Sequence, residues 1–216
     1  MTRFLEKTST FLDETLDEKP RLLLVFASLL LVVSYLLPLW TLTMFAPQYP
    51  DGLRLTIYSY KLDGGNHGQD VNEINLLNHY IGMHELSTDD FTEFKWIPFV
   101  LGGLGLLFLR AAVLGKISHL LDVLVMYCYF GAFSLWSFGY KLYRYGHNLA
   151  PTASVKVPAF MPPMFGYRKL ANFEVYSYPG PGSYALGAVV VLLLVAVVLA
   201  WRAGRLRPVR PPRPSP

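Results

Sequence analysis

The sequence predicts a mainly α-helical membrane protein: four transmembrane helices carrying a small extracytoplasmic α+β cap formed by two long loops. Three observations predict it. Charged residues are 16% of the chain, against ~25% in an average soluble domain, and 53% of residues are hydrophobic. Several apolar runs of about twenty residues are each long enough for a hydrocarbon core of ~30 Å. Two stretches rich in polar and aromatic residues, 41–95 and 141–182, separate these runs and hold enough apolar residues to fold.

The elements follow in chain order. Residues 1–20 predict a cytoplasmic amphipathic helix with Phe4, Leu5, Phe11, Leu12 and Leu16 on one face. Its acids outnumber its bases, so anionic lipid would repel it, and docking on a partner or on the chain's own basic tail is expected. Residues 21–40 form the first span, with no charge between Arg21 and Asp51. It is too long for a signal-peptide core and is expected to be retained. Residues 96–115 form the second span, where Gly102, Gly103 and Gly105 predict close helix approach. Residues 117–140 and 183–201 form the third and fourth. Trp40, Trp96, Trp136 and Trp201 fall near span ends, where amphipathic rings prefer to sit.

Basic residues predict the orientation. Lys19 and Arg21, then Arg110 and Lys116, then the arginine-rich tail 202–216 all fall on one side, the cytoplasmic one. Both termini are therefore expected inside and both long loops outside, as in a bacterial inner membrane. Lys141, Arg144, Lys156, Arg168 and Lys169 run against the rule without reversing it. The chain nets +4, and its tail holds five arginines and no acid, so the remainder nets −1. That excludes a large basic surface for nucleic acid.

Within the outer loops, Leu53–Tyr60 and Asn172–Tyr178 alternate as strands do and are expected to share one sheet. Leu55–Tyr60 and Phe173–Tyr178 are similar enough to suggest a diverged two-fold repeat. Ser154–Val157 also reads as a strand. Between them, residues 71–81 predict a helix. Asp70 and Glu73 suggest a capping box, Ile74, Leu77 and Ile81 share a face, and Gly82 supplies the stop.

His79, Met83 and His84 gather at the end of that helix, and Met161 and Met164 flank a rigid Pro162-Pro163 pair. Imidazole and thioether are copper ligands, the thioether favouring Cu(I), and a helix carboxyl end presents free carbonyls to a cation. The competing reading is plain packing, since methionine also fills cores. Asp122, an acid inside the third span, is expected to form an interfacial ion pair with Arg110 or Lys116. The single cysteine, Cys128, excludes a disulfide framework. No nucleophile elbow, phosphate loop, dinucleotide fingerprint or zinc-protease helix occurs, so a catalytic role is not expected.

Asn75-Leu76-Leu77-Asn78-His79-Tyr80-Ile81-Gly82-Met83, Ala46-Pro47-Gln48-Tyr49-Pro50 and Pro163-Met164-Phe165-Gly166 together resemble small uncharacterised bacterial multi-pass membrane proteins. Such proteins accompany copper-dependent respiratory systems of the nitrous oxide reductase maturation type. The resemblance covers the outer loops and implies an accessory protein that handles or delivers copper, or another soft metal, to an extracytoplasmic respiratory enzyme. A membrane or extracytoplasmic protein partner, beside the lipid bilayer, is then expected. The alternatives are a non-catalytic structural subunit of a membrane respiratory complex and a small membrane transporter or enzyme.

The charge pattern predicts that topology reporters fused at residue 70 and at residue 165 both report the extracytoplasmic side. A cytoplasmic signal from either contradicts the four-span arrangement.

Overall fold

The computed structural model describes residues 11–170 and 173–206. The first part of the sequence-predicted amphipathic helix, Asn172 of the predicted strand, and the tail beyond 206 lie outside the described residues. Four helices are long and apolar enough to cross a membrane: α1 (Glu18–Leu36), α3 (Glu93–Leu114), α4 (Ile117–His147) and α5 (Pro181–Leu206). Between α1 and α3 lie β1 (Trp40–Ala46), β2 (Tyr49–Ile57), β3 (Leu62–Gly64) and helix α2 (Gln69–Ile81). Between α4 and α5 lie β4 (Gly166–Leu170) and β5 (Phe173–Pro179).

The long helices form a closed ring in which α1 and α4 each pack against both α3 and α5. The spacing of their buried residues explains the ring. Leu24, Ala27 and Leu31 on α1, Leu101, Leu104, Phe108 and Ala111 on α3, and Val189, Leu193, Ala196 and Ala200 on α5 recur every three or four residues. Each helix therefore presents one packed stripe and leaves the rest apolar and exposed. Leu120, Val123 and Tyr127 continue the core on α4, and the Tyr127 hydroxyl donates to the Leu186 carbonyl at 2.8 Å. Of the three glycines expected at a helix contact, only Gly105 is at one: its carbonyl accepts the Ser28 hydroxyl at 3.1 Å. Gly102 and Gly103 face open space.

At the end bearing the tight α3–α4 turn, the N-terminal segment folds onto the bundle. Leu16 N–H donates to Gly115 O at 2.6 Å, Ile117 N–H to Glu14 O at 3.1 Å, and Lys116 pairs with Asp13 at 3.2 Å. Phe11 packs against Gly204 near the end of α5, so the segment docks on the chain's own last helix.

The opposite end carries the cap. Its sheet has the order β3-β2-β1-β5-β4, with every neighbouring pair antiparallel. The two strands foreseen in sequence do share this sheet, but β1 lies between them. Trp40 begins that central strand instead of ending a span, because α1 stops at Leu36, ahead of Pro38. The strand seen at Tyr49–Ile57 sits earlier than the alternation over 53–60 suggested, and Tyr60 instead packs its ring on Tyr35 of α1 at 5.0 Å. The two similar segments lie on either side of β1: Leu55 is opposite Leu42, and Glu174, the residue after Phe173, is opposite Phe45. Residues 154–157 form no strand.

Bundle and sheet are joined at one seam. Gly180 N–H donates to Leu39 O at 2.8 Å, Gly182 N–H to Pro38 O at 2.8 Å, and Ser183 Oγ to Leu39 O at 2.6 Å. Beside them Trp40 Nε1 donates to Ser177 Oγ at 2.8 Å, and Ser177 Oγ donates to Met164 O at 3.1 Å. A Cβ on Gly180 would collide with the Pro38 carbonyl, which is backbone and cannot step aside. Gly180→Ala is therefore expected to lower stability by ~1–3 kcal/mol as an overpacked site. Gly102→Ala, with open space around it, is expected to leave the melting temperature in detergent unchanged. Equal melting temperatures for the two variants would contradict the seam.

Candidate ligand-binding cavity in the cap

Helix α2 lies across the apolar face of the sheet, held by side chains and not by the capping box its sequence suggests. Its N-cap is Gly68, at φ 92°, with no side-chain cap. Asp70 is already the second helical residue and is buried. Its carboxylate accepts the backbone N–H of Arg54 on β2 and the Asn66 amide, both at 2.8 Å. Glu73 reaches not to the helix start but to the Tyr49 hydroxyl on β2, and that bond raises the Tyr49 phenol above its ordinary value. Two acids read as a cap are thus tethers between helix and sheet.

The other end of α2 stops as foreseen. Gly82 is left-handed at φ 78°. Met83 N–H donates to Asn78 O at 2.9 Å and Gly82 N–H to His79 O at 3.2 Å, the two bonds of a Schellman motif. The connection after α4 packs against this end. Val155 N–H donates to Tyr80 O at 2.9 Å and Ala150 N–H to Gly82 O at 2.7 Å. The carbonyls of Asn78, His79 and Tyr80, expected to face a cation, are therefore taken by backbone N–H groups. The Asn75 carboxamide then grips both polar groups of Leu86, at 2.6 and 3.1 Å, folding the chain back along the helix.

Helix α4 supplies the third wall. Its 31 residues span roughly 46 Å at 1.5 Å per residue, well beyond a hydrocarbon core of ~30 Å. The helix continues to His147, seven residues beyond the span end expected at residue 140, and its last turns project into the cap. Lys141 is fixed there by Glu93 at 3.4 Å and by the Asp90 carbonyl at 2.7 Å, while Ser137 donates to the same Glu93 at 2.6 Å.

Sheet, α2, α4 and the 157–162 connection border an open-mouthed cavity of about 330 Å³. Leu42, Met44, Leu55 and Val175 line it from the sheet, Ile74, Leu77 and Ile81 from α2, Phe138 and Leu142 from α4, and Phe160 from the connection. Its size and apolar lining fit the ordinary range of small-ligand sites. One polar side chain breaks the lining of α2: Asn78 is 5% exposed, borders the cavity, and has no hydrogen bond to its carboxamide among the described residues. Lys141, Arg168 and Lys169 border the same space, and no acid does.

The sequence-predicted metal residues lie on different surfaces. His79 is exposed on α2, Met83 lines the apolar cavity, and His84 lines an adjoining polar pocket with Asp90, Arg144 and Asn148 that shares Lys141 and Tyr145 with the cavity. Met164 sits under Gly139 of α4, and the Met161 carbonyl accepts Arg168 Nη1 at 2.9 Å. The turn at Gly82 explains the separation of 83 from 79: a left-handed residue reverses the chain and sends Met83 inward. Among the described residues no group of three or more His, Cys, Asp or Glu could hold a metal ion.

The expected ion pair of Asp122 with Arg110 or Lys116 is also corrected. Lys116 pairs with Asp13, and the Asp122 carboxylate is 4.0 Å from His119 Nδ1, one helical turn away. Lys116 precedes α4 and points to the N-terminal segment, whereas Arg110 and Asp122 border a shared groove without an ion pair.

Sequence reasoning missed Asn78, Lys141 and Arg168 as site residues. A signal existed for Asn78: it follows Ile74 by four residues and so falls on the apolar face, where a carboxamide needs a partner. No family model matches the chain, and no curated protein sequence or solved structure matches it at a significant level.

Asp70→Ala would leave the Arg54 N–H unpaired beneath α2 and is expected to cost ~1–3 kcal/mol. Hydrogen exchange should show this as faster exchange in α2 with the α1–α5 bundle unchanged. Unaltered exchange in α2 would contradict the tether.

Proposed function

We propose that this chain is a multi-pass membrane protein whose extracytoplasmic cap binds a small amphipathic ligand, a binding role and not a catalytic one. The observation that carries the reading is Asn78, a 5%-exposed residue on the wall of an otherwise apolar cavity whose carboxamide opens onto that space without a hydrogen bond among the described residues. Hydrocarbon side chains of the ligand's apolar part would occupy the space between α2 and the sheet, and a polar atom would satisfy Asn78. The outward orientation rests on the basic residues near α1, the α3–α4 turn and the tail. The cavity adjoins the turn where α4 leaves the apolar bundle, which favours a ligand that partitions into lipid.

Delivery of copper to a respiratory enzyme is the weaker reading. Its ligands His79, Met83 and His84 lie on separate surfaces, and the helix-end carbonyls that would assist a cation already accept N–H groups. A docking role in a respiratory complex has no feature of the cap to favour it.

The test is labelling of the full chain in neutral detergent with a photoreactive long-chain alcohol. Wild type should be labelled within the cavity. Leu77→Trp, which fills the space, should lose the labelling, and Asn78→Leu, which keeps the volume, should weaken binding about fivefold through the lost hydrogen bond. Labelling of both variants at the wild-type level would overturn the reading.

A further inference from the structure

The charges around the cavity are of one sign. Lys141, Arg168 and Lys169 border it, and no aspartate or glutamate does. Arg168 is placed there by register. It pairs opposite Val175, which is buried on the cavity face, and cross-strand partners share a face. An arginine on the inward face of an edge strand opposes strand addition. That purpose does not require a second cation across the cavity on α4.

Lys141 and Arg168 are not equivalent. Lys141 is already engaged by Glu93 at 3.4 Å. Arg168 has no carboxylate partner among the described residues. Its single described bond, to the Met161 carbonyl at 2.9 Å, uses one of the five N–H groups of a guanidinium. The remaining donors form a planar fork that suits a carboxylate or phosphate. Asn78 adds a neutral donor from the opposite wall.

We infer that the ligand is an anionic single-chain amphiphile, its oxyanion head held at the cavity mouth by Arg168 and its apolar chain lying between α2 and the sheet. This rests on the binding reading above and names the ligand's class. A neutral amphiphile would leave the Arg168 fork without a counter-charge. A free small anion would leave the apolar walls without a partner.

The experiment measures binding of radiolabelled dodecanoate, dodecanol and acetate to the full chain in a neutral detergent, for wild type, Arg168→Gln and Arg168→Lys. Wild type should bind dodecanoate about tenfold more tightly than dodecanol, as a charge-assisted hydrogen bond implies, and should not bind acetate. Arg168→Gln should abolish that preference by weakening dodecanoate binding about tenfold, and Arg168→Lys should restore part of it. Equal binding of dodecanoate and dodecanol, unaffected by Arg168→Gln, would overturn the anionic head and leave the cavity reading standing. Binding of acetate as tight as dodecanoate would overturn the amphiphile. Binding of none of the three probes would overturn both readings.

Discussion

The structure depends on the seam between Pro38–Leu39 and Gly180–Ser183. The first segment leads out of α1 into β1, and the second leads out of β5 into α5. The Gly180 and Gly182 N–H groups and the Ser183 hydroxyl donate to the Pro38 and Leu39 carbonyls, so the donors at the start of α5 satisfy the acceptors that follow α1. Near lipid such satisfaction is obligatory, because an unpaired backbone group has no water to turn to. The close approach works only because Gly180 and Gly182 lack side chains. One consequence is that the central pair of the sheet, β1 and β5, continues directly from a packed pair of helices. The cap is therefore rigidly set on the bundle rather than tethered by loops.

From that fixed pair the rest of the cap is built outward. The β2 strand extends the sheet on one side and carries the tethers to Asp70 and Glu73, which lay α2 across the apolar face. The β4 strand extends it on the other side and carries Arg168. The overlong α4 closes the space between them, with Phe138 packed at a tilt against Trp40, ring centroids 5.1 Å apart. The walls thus come from three elements whose relative positions are fixed by hydrogen bonds and packing outside the cavity. An apolar cavity survives between them because the scaffold, not the side chains within it, sets the spacing.

The four long apolar helices were legible in the sequence because an apolar run of about twenty residues has few other fates. Gly82 was legible as a stop for the same kind of reason: a left-handed residue ends a helix wherever it occurs. The central strand was not. Trp40–Ala46 continues the apolar run of α1 without a break in composition, and only Pro38, which forces the extended Leu37 before it, marks the change. The extent of α4 was hidden by Lys141 and Arg144, charges that read as a span's end although a helix leaving the membrane carries them readily. The site was the least legible part. Nearness in sequence grouped His79, Met83 and His84, whereas the cavity joins Asn78, Lys141 and Arg168 across three separate elements. Asp70 and Glu73 show the same limit, since the spacing of a capping box is also the spacing of two tethers on one side of a helix.

The central claim is that Asn78 meets a bound molecule and not the protein. An experimental density map of the full chain purified directly from membranes tests it most directly. The account predicts elongated density between α2 and the sheet, ending in a polar group within hydrogen-bond distance of the Asn78 carboxamide. A cavity closed by its own side chains, with that carboxamide bonded to the protein, would contradict it.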